Sequence, residues 1–525
     1  MNRKSKAWDQ YEAGLEYKRR IGLYENNRRN ERFYRGDQWY GSNTENLPKP
    51  VFNVIRRVVD FLICSISSSD ITLRYVDENL PFMSDPEEVK AIKEGLEVLT
   101  KNTAYRWEKD RMSGKINRLL GDAAVSGDGV LYCYWDTDVK GPQGFCGDIV
   151  TEVIDNVNLF VSDVNRAEIQ SQDYIILSSR ASVSSLRREA MKHGVSAEQA
   201  LRITADRIYD RQSGDLGSAE LDGEEEEKTT YIIKFWREDG KVVFEKSTRE
   251  CVIRKVYTDC KLYPVAYFNW YPTKNSYHGT SPITALIPNQ KFINRAYALI
   301  MKHMSDTAFS KVIYDKSKIP EWSNEVGEAI AAQGGGNISD AVSVVGVGNM
   351  QSGYMELINN AINVTKELMG ATDSALGNID AKNTSAIIAL QETSKISLEQ
   401  IRESYYRCIE DMGDIWVDMI CAYYPSERLL PYKSGNEISV GRLDLQRMKQ
   451  GMLCARIDVA PVARYTAVSA QNMLDKLLEG GHISPASYIR RLPTGLIHDR
   501  EALIDEIEDR AKEDTENGRE YDPDN

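Results

Sequence analysis

Three basic residues on one predicted helix are the clearest candidates for chemistry in this sequence. Lys291, Arg295 and Lys302 are four and seven positions apart, and at ~100° per residue they fall within about 40° of one another around a helix. Cations in such a row can contact phosphate groups, because each Lys or Arg that neutralises a phosphate adds affinity through counterion release. Two plainer interpretations stay open: an ordinary solvated helix face, and pairing with carboxylates of a neighbouring chain.

The sequence carries none of the usual catalytic or metal-binding motifs. Its five histidines form no HExxH pair, and none stands at metal-ligand spacing from a cysteine or a carboxylate. There is no GxSxG turn, and Gly114-Lys115 and Gly240-Lys241 lack the Ser or Thr that a phosphate-binding loop needs next. The eight cysteines are scattered, which is typical of buried apolar residues in a reducing compartment. We therefore expect a protein that is not an enzyme and that holds no metal or cofactor.

The composition is that of a folded globular protein. Of the 525 residues, 42% are hydrophobic and 28% are charged, and the formal net charge is −13. An acidic chain does not coat nucleic acid by bulk attraction, although a small local surface can still contact it. No stretch approaches the ~18 apolar residues of a membrane span, and the charged N-terminus has no apolar signal region. We expect no association with a membrane.

Hydrophobic periodicity predicts an α+β fold that is mainly helical. Helices are predicted over residues 4–34, 51–68, 85–124, 183–206, 281–306, 320–333, 352–370, 385–424, 467–478, 485–492 and 499–512. Strands are predicted over residues 130–135, 148–154, 173–179, 230–237, 241–246, 251–257, 263–270, 309–314, 341–347, 438–441 and 454–460. The acidic segment 213–228 is predicted to be a solvated loop.

The longest predicted helix, at about 385–424, has the strongest periodic signal. Its apolar residues follow steps of three and four positions: Leu398, Ile401, Tyr405, Cys408, Met412, Ile415 and Met419. At 1.5 Å per residue the helix would span ~60 Å. We therefore expect it to cross between layers or to line an assembly, with its apolar row buried against other helices or a neighbouring subunit. A two-helix hairpin with a kink near Gly413 is the alternative.

A polar break precedes this helix. Glycine and asparagine tolerate unusual backbone angles, so the segment can change shape. Its residues of interest are Ser374, Gly377, Asn378, Asp380, Lys382, Asn383 and Thr384.

Five short segments follow one another in a characteristic order. They are Tyr34-Arg35-Gly36-Asp37-Gln38-Trp39 with Asn53 and Val58-Val59-Asp60, Asn158-Leu159-Phe160-Val161-Ser162-Asp163, His278-Gly279-Thr280-Ser281-Pro282, Ala371-Thr372-Asp373, and Ser385-Ala386-Ile387-Ile388-Ala389-Leu390. Residues 279–424 are predicted to form a descending helix, a small α/β unit, an ascending helix and a long helix, in that order. With these elements and these segments, the chain resembles the portal proteins of tailed bacteriophages. Two segments depart from the family pattern: the one at 371–373 lacks its Pro, and the one at 385–390 has Ala for Gly and one extra residue.

The resemblance implies a structural protein of the virion, made in the cytoplasm of the host bacterium. Portal proteins form a head-to-tail connector, a ring typically of twelve subunits (a dodecamer) at one capsid vertex. Double-stranded DNA passes through the ring during genome packaging and during ejection. The resemblance implies terminase, the major capsid and scaffolding proteins, and head-completion or adaptor proteins as partners. It makes Lys291, Arg295 and Lys302 candidate contacts to DNA in the channel.

The same analogy divides the chain into the parts of a portal subunit. The implied parts are a wing at 1–275 completed by 425–465, stem helices at 276–308 and 352–370, a clip at 309–351, a tunnel loop at 371–384, a long helix at 385–424 that links the channel to the wing, and a crown with an acidic mobile tail at 466–525. The clip strands are expected to help join adjacent subunits, since exposed strand edges invite pairing with another chain.

Other classes of protein stay open on the sequence alone. One is a different phage head–tail adaptor or tail structural ring. Another is an enzyme, such as a nuclease subunit or a DNA-dependent motor component. The third is a non-viral scaffold whose periodicity is coincidental.

Overall fold

A computed structural model of the chain describes most of its length. The described residues are 6–44, 46–67, 71–206, 227–307, 311–323, 330–334, 337, 341–345, 353–371, 398–434, 437–459, 464–492, 503–504 and 506–507. Helices and strands are both abundant in them, so the predicted α+β class is confirmed. The predicted tunnel loop, most of the acidic loop at 213–228 and most of the helix predicted at 499–512 lie outside the described residues.

Five helices form the N-terminal part of the fold. They are α1 (Lys6–Arg20), α2 (Leu23–Arg35), α3 (Val54–Ser67), α4 (Pro86–Lys109) and α5 (Met112–Ser126). The sequence predicted single helices over 4–34 and over 85–124, and both predictions are wrong. Gly22 (φ 67°) separates the first pair and Arg111 (φ 51°) the second. A left-handed residue stops a right-handed helix, and glycine adopts that conformation at no steric cost.

Two antiparallel sheets follow the helices. Their strands are β2 (Asp128–Lys140), β3 (Cys146–Ile154), β4 (Leu159–Val161), β5 (Tyr174–Ser182), β6 (Lys228–Glu238), β7 (Lys241–Ser247), β8 (Val252–Tyr257) and β9 (Val265–Asn269). One sheet has the order β3-β2-β9, and the other has the order β4-β5-β6-β7-β8. Seven of these strands match predicted ones, and β4 was not predicted. The helical insert predicted at 183–206 is two short helices, α6 (Val183–Lys192) and α7 (Ala197–Ala200).

Three two-stranded sheets complete the strand content of the described residues. They pair β1 (Ile71–Asp77) with β14 (Leu453–Val459), β10 (Lys311–Tyr314) with β11 (Val342–Val345), and β12 (Leu429–Ser434) with β13 (Glu437–Arg442). The sequence did not predict β1 or β12. The partner of β1 lies almost 400 positions away, at the other end of the chain.

The remaining described helices include the two predicted as the stem. They are α8 (Pro282–Thr307), α9 (Gly353–Glu367), α10 (Glu399–Tyr423), α11 (Leu445–Gln450), α12 (Arg464–Glu479) and α13 (Pro485–Arg491). A helix was predicted at 320–333, but the described residues at both of its ends are not helical. There the Gln333 backbone N–H donates to the Lys318 carbonyl oxygen at 2.7 Å, a bond across a loop.

Helix α10 is the described part of the long helix. It spans Glu399–Tyr423, and the predicted start at residues 385–397 lies outside the described residues. The row of Leu398, Ile401, Tyr405, Cys408, Met412, Ile415 and Met419 is buried in the largest hydrophobic core. The helix passes through Gly413 without a break, so the alternative of a hairpin is wrong. A Cβ at Gly413 would lie 2.6 Å from that of Ala455, so the glycine permits the close approach of β14.

Carboxylates on α10 accept hydrogen bonds from backbone N–H groups of β14 and of the loop before β9. Glu410 accepts a hydrogen bond from the Ile457 backbone N–H at 3.0 Å, and Asp414 accepts one from the Ala455 N–H at 2.5 Å, both along β14. One turn further on, Asp418 accepts from the backbone N–H groups of Lys261 and Leu262 at 2.7 and 2.9 Å. Carboxylate side chains therefore accept hydrogen bonds from the backbone N–H groups at the edge of β14. This removes the cost of burying those donors unpaired.

Asp411 makes stability depend on pH. Burial and the nearby Asp414 raise the pKa of Asp411 to about 6. The folded chain therefore binds more protons than the unfolded chain between about pH 4 and pH 6, so this group lowers the free energy of unfolding as pH rises through that range. We expect Asp411→Asn to increase the free energy of unfolding by about 1–2 kcal/mol at pH 7.5 and to change little near pH 4.

Urea unfolding at pH 4 and pH 7.5 measures this difference. Glu403→Gln, at an exposed position of the same helix, is the matched control. An equal effect of Asp411→Asn at both pH values would contradict the assignment.

Candidate functional site

Helix α8 carries the three predicted cations, and its start is fixed by Ser281. The Ser281 hydroxyl accepts a hydrogen bond from the Ile283 backbone N–H at 3.1 Å and donates to the Ala124 carbonyl oxygen at 2.5 Å. The serine thus caps α8 and ties it to the end of α5. Pro288 lies inside the helix, which continues through it for five further turns.

A buried carboxylate holds the segment that leads into α8. Asp128, at the start of β2, has a fully buried side chain. Its Oδ2 contacts His278 Nδ1 at 2.6 Å and accepts from Asn156 Nδ2 at 3.0 Å. Its Oδ1 accepts from Asn269 Nδ2 at 2.9 Å and from the Gly279 backbone N–H at 2.6 Å. An ionised carboxylate has about four acceptor positions, so this set of partners uses them all.

Two glycines let the backbones meet beside Asp128. A Cβ at Gly279 would lie 2.7 Å from the carbonyl oxygen of Gly127, and one at Gly127 would lie 2.6 Å from that of Gly279. Gly127 also has a left-handed φ of 93°. A side chain at either position would separate the two segments, so the His-Gly-Thr-Ser-Pro motif is explained by packing as well as by hydrogen bonding.

Amide side chains fix the middle of α8. The Gln290 side-chain oxygen accepts from the backbone N–H groups of Val54 and Ile55 at 3.0 and 3.2 Å, at the first turn of α3. Its Nε2 donates to the side-chain oxygen of Asn294 at 2.9 Å. Asn294 in turn donates to Gln38 at 2.6 Å. The buried face of α8 is therefore held to the N-terminal part of the chain by side-chain hydrogen bonds.

Lys18 joins α1 to the same region. Its Nζ donates to the carbonyl oxygens of Asn156, Val157 and Leu159 at 2.8, 2.9 and 2.5 Å. The residue is completely buried, and this burial lowers the pKa of the Lys18 ammonium to about 7, against the opposing attraction of Asp155 and Asp128. An ammonium group with three donors suits three carbonyl oxygens, so the turn between β3 and β4 is fixed to α1.

The outer face of α8 holds the cations. Lys291 and Arg295 are exposed and Lys302 is half-buried, and the helix places all three on one side. The Lys291 Nζ lies 5.7 Å from the centre of the Phe33 ring. Within the described part of the chain, no carboxylate lies within ion-pair distance of any of the three. The three residues therefore form one row on a helix, and their contact with DNA stays a prediction.

Large apolar residues are also exposed on α8 and α9. On α8 Phe292 and Leu299 lie within about 80° of the centre of the cation row, whereas the exposed Met301 and Met304 lie on other sides of the helix. On α9 the exposed residues are Tyr354, Met355, Leu357 and Val364. The two helices pack against each other. Exposed apolar side chains that cluster on a surface mark interaction sites.

The residues that position α8 were missed by the search for chemistry. Asp128, Gln290 and Asn294 belong to no catalytic or metal motif, and each has a partner more than 100 positions away. A signal was nevertheless present, because the segments that carry the family resemblance include Gln38, His278 and Gly279. These segments supply contacts that hold α8.

A protein-family model, the phage P22-like portal protein, matches residues 8–431. The chain belongs to this family of phage portal proteins. The match includes α8, α9, α10 and both large sheets. The role of the family places the protein at the capsid vertex, in DNA packaging, and implies a ring-shaped oligomer. A search of curated proteins finds no match to the chain.

The described residues of the portal protein show neither a metal-binding cluster nor a membrane-spanning helix. These residues contain no group of three or more His, Cys, Asp or Glu that could hold a metal ion. None of the helices described is long and apolar enough to cross a membrane.

The Asp128 site predicts a large effect of a small substitution. Asp128→Asn replaces one acceptor oxygen by an NH₂ group that faces two of the four donors. We expect the free energy of unfolding to fall by about 2–4 kcal/mol, because buried donors lose their partner. Chemical denaturation measures the loss.

Asp138→Asn is the control, since it makes the same change at an exposed position of the same strand. A loss no larger than that of the control would show that Asp128 does not hold the start of α8.

Proposed function

We propose that this portal protein forms a closed ring whose central channel lets double-stranded DNA pass during packaging and ejection. The row of Lys291, Arg295 and Lys302 on the outer face of α8 is the observation that carries the proposal. In a ring, the same row repeats on every subunit and becomes a set of belts of positive charge around the axis. The protein itself makes and breaks no bonds in this role.

The charge balance suits passage of a duplex. Each phosphate neutralised by Lys or Arg adds affinity, so a strongly basic channel would hold DNA in place. The chain is acidic overall, with a net charge of −13, and offers few unpaired cations on α8. We infer weak contacts spread around the axis, which guide the duplex without stopping it.

The domain plan of the family supplies the remaining assignments of the proposal. Residues 1–275 with 425–465 are the wing, 276–308 and 352–370 the stem, 309–351 the clip, 371–384 the tunnel loop, 385–424 the long helix between channel and wing, and 466–525 the crown and tail. The antiparallel pair of β10 and β11 supports a clip that contacts other chains, because Ile313 on β10 is 62% exposed. Adjacent subunits, terminase and head-completion proteins are the partners we assign to this surface, with about twelve subunits in the mature ring. The major capsid and scaffolding proteins are the partners at the vertex.

Neutralising the cationic row tests the channel. We expect Lys291→Gln, Arg295→Gln and Lys302→Gln together to leave the mass of the ring unchanged in native mass spectrometry. The dependence of duplex binding on salt should become shallower, because fewer counterions are released. Binding of a linear duplex at several salt concentrations is the measurement.

Arg188→Gln, Lys192→Gln and Arg202→Gln, three exposed cations near α6 and α7, form the control. Equal salt dependence of the two triple variants would contradict a channel role for α8. A protein that stays a single subunit at every concentration would contradict the ring itself.

The predicted tunnel loop is tested by shortening it. Ser374, Gly377, Asn378, Asp380, Lys382, Asn383 and Thr384 are the residues we assign to loose contact with DNA. We expect replacement of 374–384 by a short Gly–Ser turn to reduce the DNA packaged per capsid while rings still form. Unchanged packaging would refute a role for the loop.

A further inference from the structure

Phe82 is an apolar side chain left almost wholly in solvent. It is 85% exposed, the highest value among the large hydrophobic residues of the described chain. It lies in the loop between β1 and α4. Single exposed apolar residues are common, so exposure alone identifies no partner.

The loop around Phe82 is held in one conformation. Leu80 and Met83, on either side of it, pack against the largest core. The Phe82 backbone N–H donates to the Asn79 carbonyl oxygen at 3.0 Å, and the Asn79 N–H donates to Asp77 Oδ1 at 2.9 Å. Binding through Phe82 would therefore cost little ordering of the loop.

A groove of matching size lies between α4 and α11. Its volume is about 210 Å³. For comparison, a cavity of about 150 Å³ lined by aliphatic side chains accepts a benzene ring. Its apolar lining comes from Ala91, Ile92, Val98 and Met448, and its charged lining from Glu94, Arg442, Asp444 and Arg447. An apolar pocket beside charged residues is the arrangement seen where one aromatic residue anchors a protein interface.

The groove has a closed floor and an apolar extension. A Cβ at Gly95 would clash with Met448, so α4 and α11 touch at that point. Beyond Arg442, strand β13 continues to Val440 and Ile438, which are 55% and 64% exposed. A surface that extends this far suits a protein partner better than a small molecule.

We propose that Phe82 of one subunit inserts into the α4–α11 groove of the neighbouring subunit. The inference rests on the proposed ring, because a cyclic ring needs two different complementary surfaces on every copy. A projecting side chain in the loop before α4 and a groove on α4 itself supply such a pair. Phe82 does not fill the groove of its own chain, since its side chain is in solvent.

Photo-crosslinking identifies what Phe82 touches. The full chain with Phe82→p-benzoylphenylalanine is irradiated after assembly, and native mass spectrometry first establishes that rings are present. We expect a covalent dimer whose crosslinked peptide contains residues 91–98 or 442–448. Rings without this crosslink overturn the Phe82 contact and leave the ring intact as a proposal. Absence of rings in the unmodified protein overturns both.

Two substitutions provide an independent test. We expect Phe82→Ala and the groove-filling Ala91→Trp each to raise the protein concentration needed for half-assembly by about tenfold. Met191→Ala, at a 50% exposed residue on α6, should change it little. Circular dichroism and the thermal midpoint of the unassembled chain check that each variant folds. Folded variants that assemble like the parent would overturn the proposal.

Discussion

A buried carboxylate that must keep all of its hydrogen bonds constrains the rest of this structure. Asp128 accepts hydrogen bonds from Asn156, Asn269 and Gly279 and also contacts His278 Nδ1, and these partners come from three separate stretches of the chain. Removing a carboxylate from water costs several kcal/mol, which only a full set of donors offsets. The two sheets and the start of α8 are therefore fixed relative to one another, and the direction in which α8 leaves the sheets follows from this constraint.

The inner and outer faces of α8 differ in what they contact. The inner face uses Gln290 and Asn294 to bind the backbone and side chains of the N-terminal helices. The outer face exposes Phe292 and Leu299 beside the cations. The inner face also buries Ile283, Leu286 and Ile293, as the apolar stripe of a surface helix does. The arrangement suits a subunit whose outer helix face is completed by other copies, in line with membership in a ring-forming family.

Acidic residues of the long helix α10 accept hydrogen bonds from the backbone of neighbouring segments. Glu410, Asp414 and Asp418 are spaced four apart, a pattern that in a sequence usually indicates a solvated helix face. Here Glu410 and Asp414 accept hydrogen bonds from the edge of β14, and Asp418 accepts them from the loop before β9. Burial raises the pKa of Asp414 to about 6, which is the electrostatic cost of this arrangement. The fold can therefore place a short sheet against a helix without leaving unpaired donors.

The sequence by itself determined the features that depend on neighbouring residues. The α+β class, most strands and most helix ends follow from local periodicity, and so does the apolar row of α10 from Leu398 to Met419. The order of short segments was enough to indicate the portal family. Only the tertiary structure decided the break at Arg111, the pairing of β1 with β14 and the partners of Asp128. The pairing of β1 with β14 and most contacts of Asp128 join residues more than 100 positions apart. The left-handed Arg111 has no local signal, because a residue other than glycine adopts that conformation only where the surrounding packing compensates its cost.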